Sequence, residues 1–158
     1  MKSNSLSERG CGSLTEHCVF CQIIRNEKPA NIIYEDGRTV AFLDIRPISE
    51  GHILIVPKKH FRDIHEIPDS EAAYLFKVAK KVATAVKKGV NADGISIFQN
   101  NGRAAGQVIF HIHVHIVPRF EGQKTSYRRN ANREELDNVA EKIGPKLRTH
   151  KRCGIESK

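Results

Sequence analysis

Apolar and polar positions alternate along the middle of the chain in a pattern that predicts short strands. Two strands are predicted at residues 32–34 and 39–43, separated by the turn Glu35-Asp36-Gly37-Arg38. A third is predicted at residues 53–56, where a β-branched run ends at a proline, and a fourth at residues 95–99. The first two strands have the spacing of a hairpin, so antiparallel pairing is expected from the start of the sheet.

A long amphipathic helix is predicted between the third and fourth strands. Apolar residues recur at helical spacing from Ala72 to Val86, and lysines mark the opposite, solvent-facing side. Asp69, directly after Pro68, is the expected N-cap, and Gly89 is the expected stop.

A second helix is predicted near the C-terminus, where apolar residues recur from Leu136 to Ile143, and it is expected to end before Gly144-Pro145. The order of strands and helices, with short connections between strands, predicts the α+β class: an antiparallel sheet of about five strands, one long helix and a C-terminal helix. The chain contains neither a G-x-G-x-x-G loop nor a Walker motif, so dinucleotide-binding and P-loop classes lack support.

The run from Phe110 to Arg119 places histidines at every second position, namely His111, His113 and His115. In a strand these three side chains share one face and the intervening apolar residues share the other. Imidazole is suited to proton transfer and to metal ligation near neutral pH. The run therefore predicts a functional site, against the alternatives of a histidine-rich surface strand or a purely structural metal site.

Length and composition fit one globular domain with polar ends. The chain has 158 residues, of which 39% are hydrophobic. We expect a disordered leader at residues 1–16, a domain at residues 17–145 and a basic tail at residues 146–158. No apolar run approaches the roughly 18 residues that cross a membrane, and the N-terminus lacks the apolar core of a secretory signal. A cytoplasmic protein is therefore expected.

Positive charge is concentrated late in the chain. The formal net charge is +8, and basic residues cluster at residues 122–133 and 145–158. Such a balance attracts phosphates in general, but basic motifs interleaved with aromatic residues are absent, so nucleic acid is not the expected partner. A solvated basic tail and a field that favours a small phosphorylated substrate are the remaining interpretations.

Cys18 and Cys21 form a C-x-x-C pair, which in a reducing compartment indicates metal binding or redox activity. A zinc ion would need two further ligands to complete a tetrahedron. His60 is one candidate. The other could come from the histidine run or from a histidine elsewhere (His17, His52 or His65). Two unligated thiols are the alternative.

The histidine run also suits nucleophilic chemistry at phosphorus. A neutral imidazole can attack phosphorus and give a phosphoramidate that water later breaks. The attacking ring needs one nitrogen with a lone pair and the other held by an acceptor, and the phosphate oxygens need donors. The Gly106-Gln107 turn offers backbone N–H groups and an amide, and His115 offers a further donor. One strand could thus serve a metal at one end and phosphate chemistry at the other.

Five separated motifs, in order over roughly residues 18–120, resemble the histidine triad family of nucleotide hydrolases and transferases, and most closely its small zinc-containing prokaryotic-type members. The central motif, His111 to Val117, matches the family signature of three histidines alternating with apolar residues. The other matching segments are Cys18-Val19-Phe20-Cys21, residues 41–45, residues 51–60, and Asn100-Asn101-Gly102 with Gly106-Gln107.

The resemblance implies a different role for each of the histidines. His113 matches the nucleophile that takes the nucleoside monophosphate, and His115 matches the histidine that contacts the α-phosphate and ribose region. His52 matches a histidine close to the triad, with either a supporting hydrogen-bonding role or a direct catalytic one. The implied structural zinc ligands are Cys18, Cys21, His60 and His111.

The resemblance also implies a purine nucleotide site and a homodimer that joins the sheets of two subunits beside the long helix. Asp44 matches the carboxylate that binds the ribose hydroxyls. The implied walls of the purine slot are Phe20, Phe42 and Ile45, and the implied phosphate and leaving-group contacts are Asn100, Gly106, Gln107 and the backbone of Val108.

Val108 departs from the family pattern, because many relatives carry Ser or Thr directly after the Gly-Gln pair. A hydroxyl donor near the phosphate or leaving group is therefore missing, and altered leaving-group preference or slower turnover is expected. The expected reaction cleaves at the α-phosphate of a purine nucleotide, such as a nucleoside phosphoramidate. A diadenosine polyphosphate hydrolase and a non-catalytic nucleotide- or partner-binding module are the alternatives.

Overall fold

The structure is a computed structural model that describes residues 15–124 and 130–147. Its strands are β1 (Ile32–Glu35), β2 (Thr39–Leu43), β3 (Ile53–Pro57), β4 (Gly94–Phe98) and β5 (Val114–Arg119). Its α-helices are α1 (Val19–Ile24), α2 (Asp69–Gly89) and α3 (Arg133–Leu147), and a single 3-10 turn covers Arg103–Ala105.

The five strands form one sheet in the order β1-β2-β3-β5-β4, and every neighbouring pair is antiparallel. The predicted α+β class is therefore confirmed. Strand β5 is inserted between β3 and β4, so the histidine-bearing segment lies near the middle of the sheet rather than at an edge. Strand β4 pairs with β5 alone among the described strands and leaves its other side open.

Both faces of the central strands are covered, which explains why β3 is apolar throughout. On one face, Ile53 and Ile55 of β3 join a large core cluster with α2 and α3. On the other face, Leu54 and Val56 join a smaller cluster that contains Phe20 of α1. Because successive side chains of a strand point to opposite faces, a fully buried strand feeds both cores.

The long helix begins at Asp69, one residue earlier than an N-cap at Asp69 would require. Pro68 occupies the N-cap position with extended φ and ψ (−62° and 148°), and Asp69 is the first helical residue. The carbonyl of Pro68 accepts the N–H groups of Glu71 and Ala72. The N-cap prediction was therefore wrong, although an acid in the first turn still complements the helix dipole.

The C-terminal helix passes through Gly144-Pro145 and ends at Leu147, so the predicted stop before this pair was wrong. Pro145 lies in the last turn, where a missing N–H costs little more than one terminal hydrogen bond, and Leu147 still packs against the main core. The contact with α2 is close: a Cβ on Gly89 would lie 2.9 Å from Cγ1 of Ile143.

The histidine segment becomes a regular strand later than the sequence pattern predicts. Strand β5 begins at Val114, so His111 and His113 precede it and the predicted start at Phe110 was wrong. The backbone N–H of Ile112 donates to the carbonyl of Phe61, in the segment after β3, at 2.8 Å. The alternation of faces nevertheless survives, because Ile112 packs in the main core with Val114 while the histidines face the other side.

Several sequence predictions fall on residues outside the described part of the chain. These are the disordered leader up to residue 14, most of the basic tail, and the basic residues between positions 125 and 129. Within residues 15–124 and 130–147, no helix combines the length and the apolar character that a bilayer span requires.

Candidate active site and metal centre

Two cysteines and two histidines converge where α1 meets the histidine segment. The Sγ atom of Cys18 lies 3.4 Å from Nδ1 of His111, and Sγ of Cys21 lies 3.3 Å from Nδ1 of His60 and 3.5 Å from Nδ1 of His111. Cys18 is the N-cap of α1 and Cys21 lies in its first turn, so one short helix sets both sulfur atoms. The four candidate ligand atoms all lie within 4.8 Å of one another.

The donor set and its spacing fit a tetrahedral metal ion. Metal–sulfur and metal–nitrogen bonds of about 2.3 and 2.0 Å at tetrahedral angles separate the ligand atoms by roughly 3.5–3.8 Å, close to the observed sulfur–nitrogen distances. Two sulfur and two nitrogen ligands are typical of zinc. The sequence left the histidine partners of the cysteines open, and the structure brings His60 and His111 to them, as the resemblance implied.

The ring of His111 is oriented for ligation by a backbone contact. Its Nε2 atom lies 2.9 Å from the carbonyl oxygen of Pro57, so Nε2 carries the proton and Nδ1 presents its lone pair to the cysteines. Burial lowers the pKa of His111 to about 4, and burial also lowers the pKa of His60. Both rings are therefore neutral near pH 7, which is the form that ligates a metal.

The Cys21 thiol is in a site that disfavours its charged form. Burial, and then the neighbouring Cys18, raise the pKa of Cys21 to about 12. Two thiolates this close repel each other in a poorly solvated site, and a divalent cation between them removes that repulsion. The sulfur pair thus has the electrostatic character of a metal site.

His113 is 7% exposed and is held in a defined tautomer by its own segment. Its Nδ1 atom lies 2.7 Å from the backbone carbonyl oxygen of His111. A carbonyl only accepts, so Nδ1 carries the proton and Nε2 carries the lone pair. The Phe20 ring meets the His113 ring edge to face at 5.1 Å. These contacts orient the His113 ring so that, in its neutral form, Nε2 holds the lone pair that a nucleophile requires.

His52 and His115 form a hydrogen-bonded pair whose tautomers follow from one backbone amide. The N–H of Ile48 donates to Nδ1 of His52 at 3.1 Å, so the proton of His52 is on Nε2. That Nε2 lies 2.9 Å from Nδ1 of His115, which must then accept. The proton of His115 is therefore on its Nε2, which makes this nitrogen a hydrogen-bond donor.

Asp44 lies at the end of β2 beside His52. One carboxylate oxygen, Oδ1, accepts the N–H of Arg46 at 2.8 Å, and Oδ2 lies 3.6 Å from Nδ1 of His52. Asp44 and His52 also line a cavity of about 500 Å³ that opens toward α3. Neither His113 nor Phe20 lines that cavity, so it lies beside the histidine segment rather than over it.

Two of the three predicted purine-slot residues pack together. The rings of Phe20 and Phe42 meet edge to face at 5.4 Å, in the cluster on the histidine side of the sheet. Ile45 does not join this cluster and is 63% exposed, while its carbonyl accepts the N–H of Ala131 at 2.9 Å. The structure therefore packs Phe20 and Phe42 together, at 5% and 3% exposure, and leaves Ile45 at the surface.

The predicted phosphate donors of the Gly106-Gln107 turn are engaged inside their own loop. The N–H of Gly106 donates to Arg103 at 2.9 Å and that of Gln107 donates to Gly102 at 3.0 Å. The Gln107 side chain is 3% exposed and bonds to Gly102, Arg62 and Ile109. Gln107 thus stabilises the loop. These two backbone amides and the side-chain amide have partners within the protein, and their contact with a phosphate stays a prediction.

Asn100 and Val108, the remaining predicted contacts of the phosphate and leaving group, lie next to the Gly106-Gln107 turn. The side-chain nitrogen of Asn100 lies 3.6 Å from the position of a Cβ on Gly106, whose φ of 88° suits glycine. Val108 is 76% exposed and follows this turn. These two residues therefore lie on the accessible part of the segment that leads into the histidines.

Sequence reasoning missed one aromatic contact of the site. The Phe98 ring stacks on the His115 ring, with centroids 4.5 Å apart and planes 13° apart, because Phe98 and His115 pair directly across β4 and β5. Only the strand register could have shown this pairing. Helix α1 was also missed, although Phe20, Ile23 and Ile24 have helical spacing.

The sheet with its row of histidines defines a histidine triad domain. The family model described as HIT domain matches residues 25–122, and the chain belongs to this family. This finding confirms the resemblance read from the sequence.

Curated relatives share long stretches of the chain. The chain is 39% identical over 142 residues to the adenylylsulfatase HINT3 of Arabidopsis thaliana, which covers 87% of this chain and 71% of the relative. It is 42% identical over 106 residues to the adenosine 5′-monophosphoramidase HNT1 of Candida albicans, covering 65% of this chain and 70% of the relative.

Solved structures share the fold. A HIT-like protein from Bartonella henselae superposes with a TM-score of 0.80 at 38% identity, covering 84% of this chain and 97% of that one. A zinc-bound histidine triad family protein from Mycobacterium smegmatis superposes with a TM-score of 0.77 at 41% identity, covering 84% of this chain and 94% of that one.

Proposed function

We propose that this protein is a nucleotide hydrolase or transferase that cleaves at the α-phosphate of a purine nucleotide through a nucleotidyl-histidine intermediate. The observation that carries the proposal is the 2.7 Å contact between Nδ1 of His113 and the carbonyl of His111, which directs a lone pair to Nε2. The activities named for HINT3 and HNT1 support it, since both names specify a substituted adenosine monophosphate as the substrate.

In the proposed reaction, Nε2 of His113 attacks the α-phosphorus, and the bond from phosphorus to the leaving group breaks. Water then attacks the phosphorus, breaks its bond to His113, and releases the nucleoside monophosphate. The Nε2–H of His115 donates to a phosphate oxygen, because His52 fixes that tautomer. His52 therefore acts as a positioning residue in this scheme.

Binding in the proposal rests on the aromatic wall and on one carboxylate. A purine would pack on the histidine side of the sheet against the small exposed edges of Phe20 and Phe42, which form the aromatic wall of the proposal and are 5% and 3% exposed. Asp44 offers carboxylate oxygens to the ribose hydroxyls at the end of β2. Asn100 and the backbone of Val108 are the proposed contacts of the phosphate and leaving group, and a bound nucleotide would cover part of exposed Ile45.

The test is the variant His113→Ala, assayed on adenosine phosphoramidate and on a diadenosine polyphosphate. Turnover should fall by at least about a thousandfold while AMP affinity, measured by calorimetry, stays within a few-fold. The matched control is His65→Ala, because His65 is exposed and lies outside the site. Full activity of His113→Ala would overturn the mechanism, and AMP binding without turnover of any substrate by the wild type would instead identify a nucleotide-binding module.

We also propose that a structural zinc ion occupies the site formed by Cys18, Cys21, His60 and His111. The donor set, the ligand spacing and the zinc-bound relative from Mycobacterium smegmatis support this proposal. When bound, zinc would fix α1 against the histidine segment and take no part in the reaction. Metal-ligating thiols suit a reducing compartment, which supports the proposed cytoplasmic location.

The proposed homodimer would use the open side of β4. Ile97 on this strand is 43% exposed, and Phe76 on α2 is 50% exposed. Pairing two β4 strands would satisfy their backbone groups and extend one sheet through both subunits. Sedimentation equilibrium should give twice the chain mass of 17.8 kDa, and a single-chain mass at micromolar concentration would contradict the proposal.

A further inference from the structure

A cavity of about 350 Å³ adjoins the proposed reaction site, between the metal cluster and the segment that follows Gln107. Val108, Phe110 and Arg62 form one part of its wall. Ile109 also lines it and packs in the cluster of Phe20, whose ring contacts His113. His113 and Phe20 do not line the cavity, which reaches the site through Ile109 and through Val108, next to which the leaving group is expected.

We propose that Arg62, Arg103 and Phe110 form a leaving-group subsite that selects substrates whose leaving group departs as an anion. This inference rests on the proposed function and deepens it. The substrates it selects are mixed anhydrides of a nucleoside monophosphate, in preference to nucleoside phosphoramidates.

Two guanidinium groups meet one aromatic ring at this place. The guanidinium carbon of Arg62 lies 4.8 Å from the centroid of the Phe110 ring, and that of Arg103 lies 5.7 Å from it. Both distances are within the range of cation–π attraction. Planar guanidinium groups that are held by a ring lose little freedom when they bind an oxyanion such as sulfate or phosphate.

The backbone of Arg62 is fixed from both sides. Its N–H donates to Oε2 of Glu66, and its carbonyl accepts from Nε2 of Gln107, each at 2.8 Å. Gln107 therefore joins the Arg62 segment to the loop that carries Arg103. The hydrogen bonds that engage the side-chain amide of Gln107 also fix the two backbone segments that place Arg62 and Arg103 on the Phe110 ring.

Two acids lie near the two arginines, and one of them, Glu66, lines the cavity together with Arg62. Glu66 accepts the N–H of Arg62, and Asp63 accepts the N–H of His65 at 2.9 Å while its other oxygen lies 3.9 Å from Nε of Arg62. Arg103 forms no salt bridge with any acid in residues 15–124 and 130–147. Its charge is therefore the one that an anionic leaving group would neutralise.

Val108 supports the same conclusion through the chemistry of the leaving group. When Nε2 of His113 attacks a phosphoramidate, the electron pair of the broken P–N bond goes to nitrogen, which must gain a proton to leave. In a mixed anhydride the pair goes to an oxygen, and sulfate or phosphate departs as a stable oxyanion without a proton. Val108 has no hydroxyl that could donate a proton to a departing amine. Arg62 and Arg103, in contrast, carry positive charge that stabilises a departing anion.

The experiment compares kcat/KM for adenosine 5′-phosphosulfate and adenosine 5′-phosphoramidate in four proteins: wild type, Arg62→Gln/Arg103→Gln, Val108→Ser and Arg133→Gln. The double variant should lose about tenfold on the phosphosulfate and less than about twofold on the phosphoramidate. Val108→Ser should gain several-fold on the phosphoramidate alone. Arg133→Gln is the matched control, because Arg133 is 90% exposed on α3.

Unchanged substrate preference in the double variant, or an equal fall on both substrates, would overturn the subsite while leaving the proposed function intact. Absence of turnover of either substrate by the wild type would overturn both proposals together. Thermal midpoints of all four proteins separate a folding defect from a change of preference, and so does the ratio of the two kcat/KM values, which a general loss of folded protein does not alter.

Discussion

Nε2 of His52 lies 2.9 Å from Nδ1 of His115, and this contact determines which nitrogen of His115 can donate to a substrate. The direction of the hydrogen bond comes from the backbone N–H of Ile48, which occupies the other nitrogen of His52. A main-chain amide in the β2–β3 connection thereby fixes the protonation of a side chain on β5.

Replacing His52 by Ala should therefore impair catalysis more than binding. Without its donor, His115 can carry the proton on either nitrogen, and we expect kcat to fall about ten- to a hundredfold with KM within a few-fold. Added imidazole should restore part of the activity by filling the vacated space. His65→Ala is the control, and a His52→Ala enzyme with wild-type kcat would show that the pair plays no part in turnover.

Removing the two sulfur ligands should release the metal. Metal analysis of the purified protein is expected to give close to one zinc per chain, and Cys18→Ser/Cys21→Ser should contain none. The free energy of unfolding should fall by about 4 kcal/mol if zinc is present at roughly a thousandfold above its Kd. Cys11→Ser/Cys153→Ser, at positions outside the described residues, should retain the metal, and its loss from that control would place the site elsewhere.

Gly89 should tolerate no side chain. A Cβ there would lie 2.9 Å from Cγ1 and 3.0 Å from Cα of Ile143, so Gly89→Ala should lower the free energy of unfolding by about 1–3 kcal/mol. Gly144→Ala is the matched control, because Gly144 is also helical and its Cβ would have no neighbour within 4 Å beyond residues 143 and 145. The gain in helix propensity is opposed by crowding between this Cβ and the Pro145 ring, so the free energy of unfolding should stay within about 1 kcal/mol of that of the wild type. Urea unfolding of both variants checks this difference.

Asp36 should contribute stability that disappears in acid. Burial alone would raise its pKa, but hydrogen bonds from the Tyr34 and Tyr74 hydroxyls and from the N–H groups of Arg38 and Thr39 lower it overall. A depressed pKa means that the contribution is present above the unfolded value of about 3.8 and is lost as pH falls through the lower, folded value.

The variant Asp36→Asn tests this sign. At pH 7 its free energy of unfolding should be about 1–3 kcal/mol below that of the wild type, because charge-assisted hydrogen bonds are replaced by weaker ones. The gap should narrow in urea titrations below pH 3.8. A gap that stays constant or widens in acid would show that the Asp36 charge is not what the two tyrosines stabilise.

The sequence predicts the sheet and the long helix well because their apolar patterns are dictated by burial. Ile53, Ile55 and Val82 lie in one core, and each was read from local spacing alone. The element ends were less predictable. The first residue of α2 differs from the prediction by a single position, which sequence patterns rarely resolve. Whether Pro145 ends α3 depends on packing such as that of Leu147 against the main core, which local propensity does not contain.

The candidate site was also predicted only in part from the sequence. The alternation of His111, His113 and His115 shows that they share a face, but not that the first two precede the strand. The hydrogen bonds inside the Gly106-Gln107 loop could not be predicted, because an amide side chain has the same sequence signature whether it contacts a ligand or its own backbone. Gln107 is buried by contacts with residues 62 and 102, and only the packed structure shows that these donors are engaged.

Phe20 lies between Cys18, the N-cap of α1, and Cys21, and its ring contacts both Phe42 and His113. Under the roles proposed for these residues, a substitution of Phe20 that changes base preference would also disturb metal affinity, because a helix of six residues cannot shift one side chain alone. Phe42 is on β2, which is anchored by pairing on both sides. A change of base preference should therefore be obtained more readily by substituting Phe42 than by substituting Phe20. Substitutions should not be tolerated equally at the two aromatic positions.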